Sequence, residues 1–216
     1  LLDEDSFARF YPIQPYQVEL FQNCLISLSN HGAFEGNYAS LGARSMLSVF
    51  QNALIEIKDG EFGSFVPFDL FFEGTRPLMK AQPFHTITLL ESKDEDPFSI
   101  RLLKLLYILK YESGFKTTVK NLAVLISKDS ESDRRETERL IQNSLDRLAR
   151  YNYVQEVNGV FEFQTDIQQE ILKRIIATEL NQGEIRNHIA EIFFDEMLGR
   201  NNFLKLKHDR TGLDFP

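Results

Sequence analysis

The sequence predicts a mainly helical α+β chain. Three observations carry that reading. Apolar residues recur at spacings of three and four over most of the chain, breakers such as His31-Gly32 and Asp59-Gly60 cut that pattern into helix-length pieces, and one Asn158-Gly159 pair sits between two short β-rich runs.

Residues 1–13 read as an extended lead-in ending at Tyr11-Pro12. Pro15 suits a first helical turn, so a helix is expected from there to about Asn30, with Leu20, Phe21, Cys24, Leu25 and Leu28 apolar and Asn30-His31-Gly32 as its stop. After the loop Gly32–Ala39, Ser40 is a good N-cap for a second helix over about 41–58, with Met46, Leu47, Phe50, Ala53, Leu54 and Ile57 on one face. Phe65–Phe72 is an apolar run of strand length. Pro77 and Pro83 oppose a long helix through 75–85. The acidic cluster Glu91–Asp96 followed by Pro97 reads as a domain boundary.

Beyond it the pattern predicts helices over about 99–112, 118–127 and 133–150, the last opened by the capping-box pair Asp133 and Glu136. Tyr153–Val157 and Val160–Gln164 flank Asn158-Gly159 as a β-hairpin. Three helices followed by a hairpin is the winged-helix order. Two further helices, about 166–180 and 184–199, and a β-like tail Phe203–Lys207 close the chain. The expected domains are a helical region over 1–97, a winged helix over 98–178 and a helical extension with a short C-terminal strand over 179–216.

Hydrophobic residues make up 43% of the 216, enough to build a packed core. Residues 1–97 carry 6 Lys and Arg against 14 Asp and Glu, residues 98–178 carry 13 against 11, and residues 179–216 carry 5 against 7. The middle segment is therefore the candidate for contact with an anionic polymer. The one cysteine, Cys24, lies in an apolar-periodic stretch and reads as a core residue in a reducing, cytoplasmic setting. No apolar run approaches the ~20 residues that span a bilayer. The start, Leu1-Leu2-Asp3-Glu4-Asp5, has no signal-peptide pattern and no initiator Met, so a piece of a longer cytoplasmic protein is expected, with no membrane partner.

Chemistry-bearing motifs are sparse. There is no Gly-Lys-Ser/Thr and no Gly-x-Gly-x-x-Gly, so phosphoryl transfer lacks a cradle and no enzyme activity is expected of this chain alone. Ile192-Phe193-Phe194-Asp195-Glu196 has the look of a Walker B strand end, but helical spacing of Ile185, Ile189, Ile192, Phe193 and Met197 reads better as an amphipathic helix. His31, His85, His188 and His208 are scattered, and no metal site is expected. Arg134, Arg135, Arg139, Arg147 and Arg150 all fall on the third helix of the winged-helix segment, the element that such modules place in the major groove. Glu136, Glu138 and Asp146 neutralise much of that charge, and Glu156 and Glu162 make the hairpin acidic, so duplex DNA and a partner protein both stay open. Gly42-Ala43-Arg44-Ser45 opens the second helix and is similar to the sensor-2 position of AAA+ ATPase lids, where an Arg reaches back to the γ-phosphate.

Several stretches taken in order carry a resemblance. They are Tyr11-Pro12-x-x-Pro15-Tyr16-Gln17, Gly42-Ala43-Arg44-Ser45-Met46-Leu47-Ser48-x-Phe50-Gln51, Pro67–Phe71, Arg101–Tyr111, Thr165–Ile171, Phe194-Asp195-Glu196 and Asp214-Phe215-Pro216. Together they resemble the bacteriophage-exclusion (BREX) P-loop ATPases of the BrxC/PglY family over nearly the whole chain. That family usually has Gly-Glu-Arg-Ser where this chain has Gly42-Ala43-Arg44-Ser45, so the glutamate is missing and the Arg is kept. The resemblance implies an AAA+ lid-like region followed by a winged helix, downstream of a P-loop domain that uses ATP and Mg²⁺. It implies nucleotide sensing by Arg44, beside Gly42 and Ser45. It also implies a phage-defence complex that includes a DNA methyltransferase. The chain alone would hold no cofactor. The rival reading is a winged-helix transcription regulator with helical dimerisation flanks, which should dimerise and select half-sites one helical turn apart.

Overall fold

Residues 4–35, 43–60, 63–93, 95–128, 133–178, 182–193, 206–207 and 214–215 are described by the computed structural model of the chain. The chain divides into two units, residues 1–172 and 173–216.

In the first unit α1 (Glu4–Phe10) stands where the sequence predicts an extended lead-in. Its Phe7 packs with Tyr11 and Phe65, ring centroids 5.4–6.1 Å apart, a long-range contact that local pattern does not encode. Helix α2 (Pro15–Asn30) begins at the predicted proline. Gln17 turns inward there, accepting from the Gln14 amide and donating to the Val66 carbonyl at 2.8 Å, so its burial leaves no polar atom stranded. The predicted stop is a Schellman motif. Gly32 adopts φ +68°, its amide bonds to Ser29 O, and the Ala33 amide bonds to Leu28 O.

Helix α3 (Ala43–Glu56) buries Val49 and Ala53 most deeply. Leu47, placed on the core face by its spacing, is 67% exposed and Leu54 is also exposed. The predicted N-cap Ser40 lies outside the described residues. The strand-like run Phe65–Phe72 does not pair as a strand. Its amides bond one at a time to Pro12, Leu125 and Lys128 carbonyls, and the chain then turns into α4 (Leu70–Thr75). Gly74 of α4 lies against α3, where a Cβ would stand 2.9 Å from Val49 Cα. Pro77 and Pro83 each open a single 3-10 turn, Arg76–Leu78 and Gln82–Phe84, in keeping with the broken pattern there. Helix α5 (His85–Ser92) follows, unforeseen because eight residues are too few for a clear period.

The Glu91–Asp96 cluster ends as the cap of α6 (Pro97–Leu109): the Asp96 carboxylate accepts from the Phe98 and Ser99 amides, with Pro97 at the first turn. Nine of the thirteen residues of α6 are buried, so this helix is enclosed on nearly all sides by α2, α4, α5 and the elements that follow. One hydrophobic cluster runs from Leu20 to Phe163 around it. Lys104 of α6 bonds Glu73 of α4 at 2.5 Å and Glu91 of α5 at 2.7 Å, and Arg76 completes the network on Glu91. Desolvation opposes the charge on Lys104, but hydrogen bonds to Glu73 and Glu91 outweigh it and raise its pKa.

Tyr107 of α6 is enclosed by the rings of Phe72, Phe84 and Phe163 at 5.4–5.8 Å, edge to face. Its hydroxyl is buried with no hydrogen-bond partner among the described residues, and burial raises its pKa. Tyr107→Phe removes an unpaired donor and keeps the ring, so it is expected to stabilise the chain by about 1 kcal/mol. A raised melting temperature checks this; a lowered one would mean that the hydroxyl does find a partner.

Helices α7 (Val119–Ile126) and α8 (Arg134–Arg150) then pack on α6. Asp133 caps α8 as predicted, accepting from the Arg135 and Glu136 amides, while the Glu136 side chain bonds Arg139. Strands β1 (Val154–Val157) and β2 (Val160–Phe163) form the predicted hairpin with Val157 opposite Val160. Asn158 and Gly159 take φ +54° and +76°, the left-handed pair that a two-residue turn demands. Between α6 and α7, Thr117 O accepts from the Phe161 amide and Thr117 Oγ1 donates to Phe161 O at 2.6 Å, tethering the hairpin's second strand to the segment between the two helices.

Helix α9 (Asp166–Ala177) crosses from the first unit into the second. The second unit holds α10 (Gln182–Glu191) and two short strands, β3 (Leu206–Lys207) and β4 (Asp214–Phe215), paired antiparallel. No helix among the described residues is long and apolar enough to cross a membrane.

Candidate macromolecular interface

The amphipathic pattern of α8 decides what this helix offers. Ile141, Ser144, Leu145 and Leu148 face the core. The opposite side, exposed along Arg135, Arg139, Asn143, Asp146 and Arg150, runs the helix's whole length, and the start of the hairpin follows directly.

The structure brings the five predicted arginines onto one helix but gives most of them partners. Arg134 Nε donates to Glu138 Oε1 at 3.0 Å. Arg139 grips Glu136 with two bonds, at 2.7 and 3.0 Å. That pairing lowers the pKa of Glu136 and raises that of Arg139. Arg147 reaches back to Asp96 and to Ser99 Oγ, so it joins α8 to the cap of α6. Burial pushes the Asp96 carboxyl up, but the Ser99 hydroxyl, the two capping amides and Arg147 outweigh it and hold it below the usual range. Arg135 and Arg150 have no ion pair among the described residues. Asp146 accepts from Gln142, and Glu156 and Glu162 of the hairpin are exposed. The face is thus a mosaic of both signs.

Beside Arg147 lies a groove of about 220 Å³ lined by Leu90, Lys93, Ser99, Tyr151 and Tyr153 among others. Tyr151 is 63% exposed and stacks on Tyr153 with centroids 5.9 Å apart. Sequence reading missed this groove. One signal was present, since Asp96-Pro97-x-Ser99 is an N-cap pattern, but nothing local tied it to Arg147.

A second groove, about 310 Å³, lies between the end of α6 and the hairpin, with Lys110, Tyr111, Glu112 and Thr117 in its lining. Lys110 has its pKa lowered by desolvation, yet its ammonium is spent on the Phe163 carbonyl and Gln168 Oε1. It ties α6 to the hairpin and to α9 and has no nucleophilic role in that geometry. Among the described residues no three His, Cys, Asp or Glu come together as metal ligands.

Of the predicted nucleotide-sensing residues, Gly42 lies outside the described residues. Arg44 and Ser45 fall in the first turn of α3, and their side chains also lie outside what is described. Asp195 and Glu196 of the Walker B-like stretch lie outside as well. No family model matches the chain, and no solved structure matches it.

Proposed function

We propose that the chain is a non-catalytic docking segment of a larger assembly, built on a winged helix formed by α6, α7, α8 and the β1–β2 hairpin. Thr117 carries that reading. Lying between the first two helices, it bonds the second hairpin strand through both its carbonyl and its hydroxyl, the kind of tether that ties a winged helix's hairpin to its helical core. We infer further that the α8 face binds a partner protein. Two of its five arginines are matched by its own carboxylates, a third is held by Asp96, and the adjoining hairpin is acidic, a pattern suited to a mixed-charge protein surface and less suited to a phosphate backbone.

Duplex DNA is the second reading. Arg135 and Arg150 favour it, and the exposed pairs Arg134–Glu138 and Arg139–Glu136 are weak enough to exchange for phosphates. The resemblance read in the sequence supplies the wider setting. In it the chain follows a P-loop domain of a phage-defence ATPase, Arg44 faces the nucleotide held there, and nucleotide state is coupled to what α8 binds. That part of the proposal rests on the resemblance alone.

A photo-crosslinking residue in place of the exposed Asn143, in the intact protein inside its host, tests the choice. The expected result is a discrete protein adduct that Arg135→Glu weakens. Adducts to nucleic acid, lost as salt rises, would move the assignment to DNA. No adduct of either kind would remove the interface.

A further inference from the structure

We propose that α9 is a releasable latch, a helix docked through polar contacts that lets go as one piece while the hydrophobic core of the first unit stays folded. The inference stands apart from what α8 binds.

What holds α9 differs in kind from what holds α6. Helix α6 buries nine of its thirteen residues, whereas of the twelve residues of α9 only Gln169 is buried. Ile167, Ile171, Ile175 and Ile176 are exposed and Leu172 is half-buried. The hydrophobic cluster of the first unit ends at Phe163, and no residue of α9 belongs to it or packs on it. That core is therefore complete without α9, and burial of apolar surface does little to keep the helix in place.

The docking contacts are hydrogen bonds gathered on the first turn. The Thr86 hydroxyl of α5 is their hub. It donates to the Asp166 carboxylate and accepts from Gln169 Nε2 at 3.0 Å. Gln169 also donates to Gln164 O at 2.9 Å, and His85 Nδ1 lies 3.2 Å from Asp166 Oδ2. On the other side Lys110 of α6 donates to Gln168 Oε1 at 2.9 Å. When the helix lifts, each of these groups exchanges a protein partner for water, so the net loss per bond is small. A segment held in this way belongs to the low-stability end of a fold, where local opening runs ahead of global unfolding.

Hydrogen exchange of the 216-residue chain tests this, under conditions where the rate reports the population of the open form. The amides of 169–177 are expected to open together, with protection at least ~100-fold below that of the α6 interior. Thr86→Val keeps the shape of the side chain and removes the hub, so it should speed exchange over 169–177 at least ~10-fold. Ile141→Val, a mild cut in the core between α8 and α6, should speed exchange in α6 by about 3–10-fold and leave 169–177 unchanged, because the open form of α9 keeps that core. Protection of 169–177 equal to that of α6, and rising in step with it in Ile141→Val, would make α9 an integral part of the core and overturn the proposal. A gradient of protection climbing from residue 177 towards 169 would be end fraying and overturns it too. So does exchange in α9 that Thr86→Val leaves unmoved.

Discussion

Replacing Arg101 by Ala is expected to destabilise the chain by about 3–5 kcal/mol, the cost of leaving a buried carboxylate without its cation. The Asp69 side chain is 3% exposed, and Arg101 holds it through Nε at 2.8 Å and Nη2 at 3.0 Å. The same Nη2 donates to Ile126 O, the last carbonyl of α7, so one guanidinium joins the cap of α4 to α6 and α7. The Arg101 side chain is 31% exposed, which favours the lower end of the range. Urea unfolding is the measurement, with an unchanged m-value showing that the loss is one of stability. The double variant Asp69→Leu, Arg101→Met should recover most of the loss, because it removes the stranded charge together with its partner. A single-variant loss below about 1 kcal/mol would mean that water reaches Asp69 and screens it.

The second large effect is expected at Gly74. A methyl group there would stand 2.9 Å from both Cα and Cγ1 of Val49, and backbone cannot step aside as a flexible side chain can. Gly74→Ala should therefore cost about 1–3 kcal/mol even though Ala is the better helix former, and Gly74→Val should cost more. Shortening the obstacle rather than the probe gives the check. In a Val49→Ala background the cost of Gly74→Ala should shrink, a coupling that a double-mutant cycle reads directly. Additive losses would show that α3 and α4 do not meet so closely.

What the sequence showed and what it hid divide along one line, the distance between interacting residues. The Schellman end at Gly32, the Asp133 cap and the Asn158-Gly159 turn need only neighbours within six positions, and each appears where the pattern puts it. Phe65–Phe72 misled because apolar content is shared by strands and by segments threaded singly between carbonyls, and only the fold supplies Pro12, Leu125 and Lys128 as those carbonyls. The α8 arginines were legible as a cluster. Their partners Glu136 and Glu138 were legible too, at helical spacing, whereas the hold of Arg147 on Asp96 spans 51 positions and has no local trace. Gly74 carried no signal in the sequence, since close approach is a property of the partner helix.

Cys24 of α2 is the chain's one thiol, it is fully buried, and desolvation first and Glu112 second push its pKa well above the usual thiol range. It sits in the same core as Phe21, Phe68 and Phe71. A thiol reagent in solution therefore meets sulfur only when that core opens. The chain thus carries its own clock. At fixed pH, and with reagent concentrated enough to react before the core recloses, the time taken to label Cys24 counts openings of the native protein without denaturant.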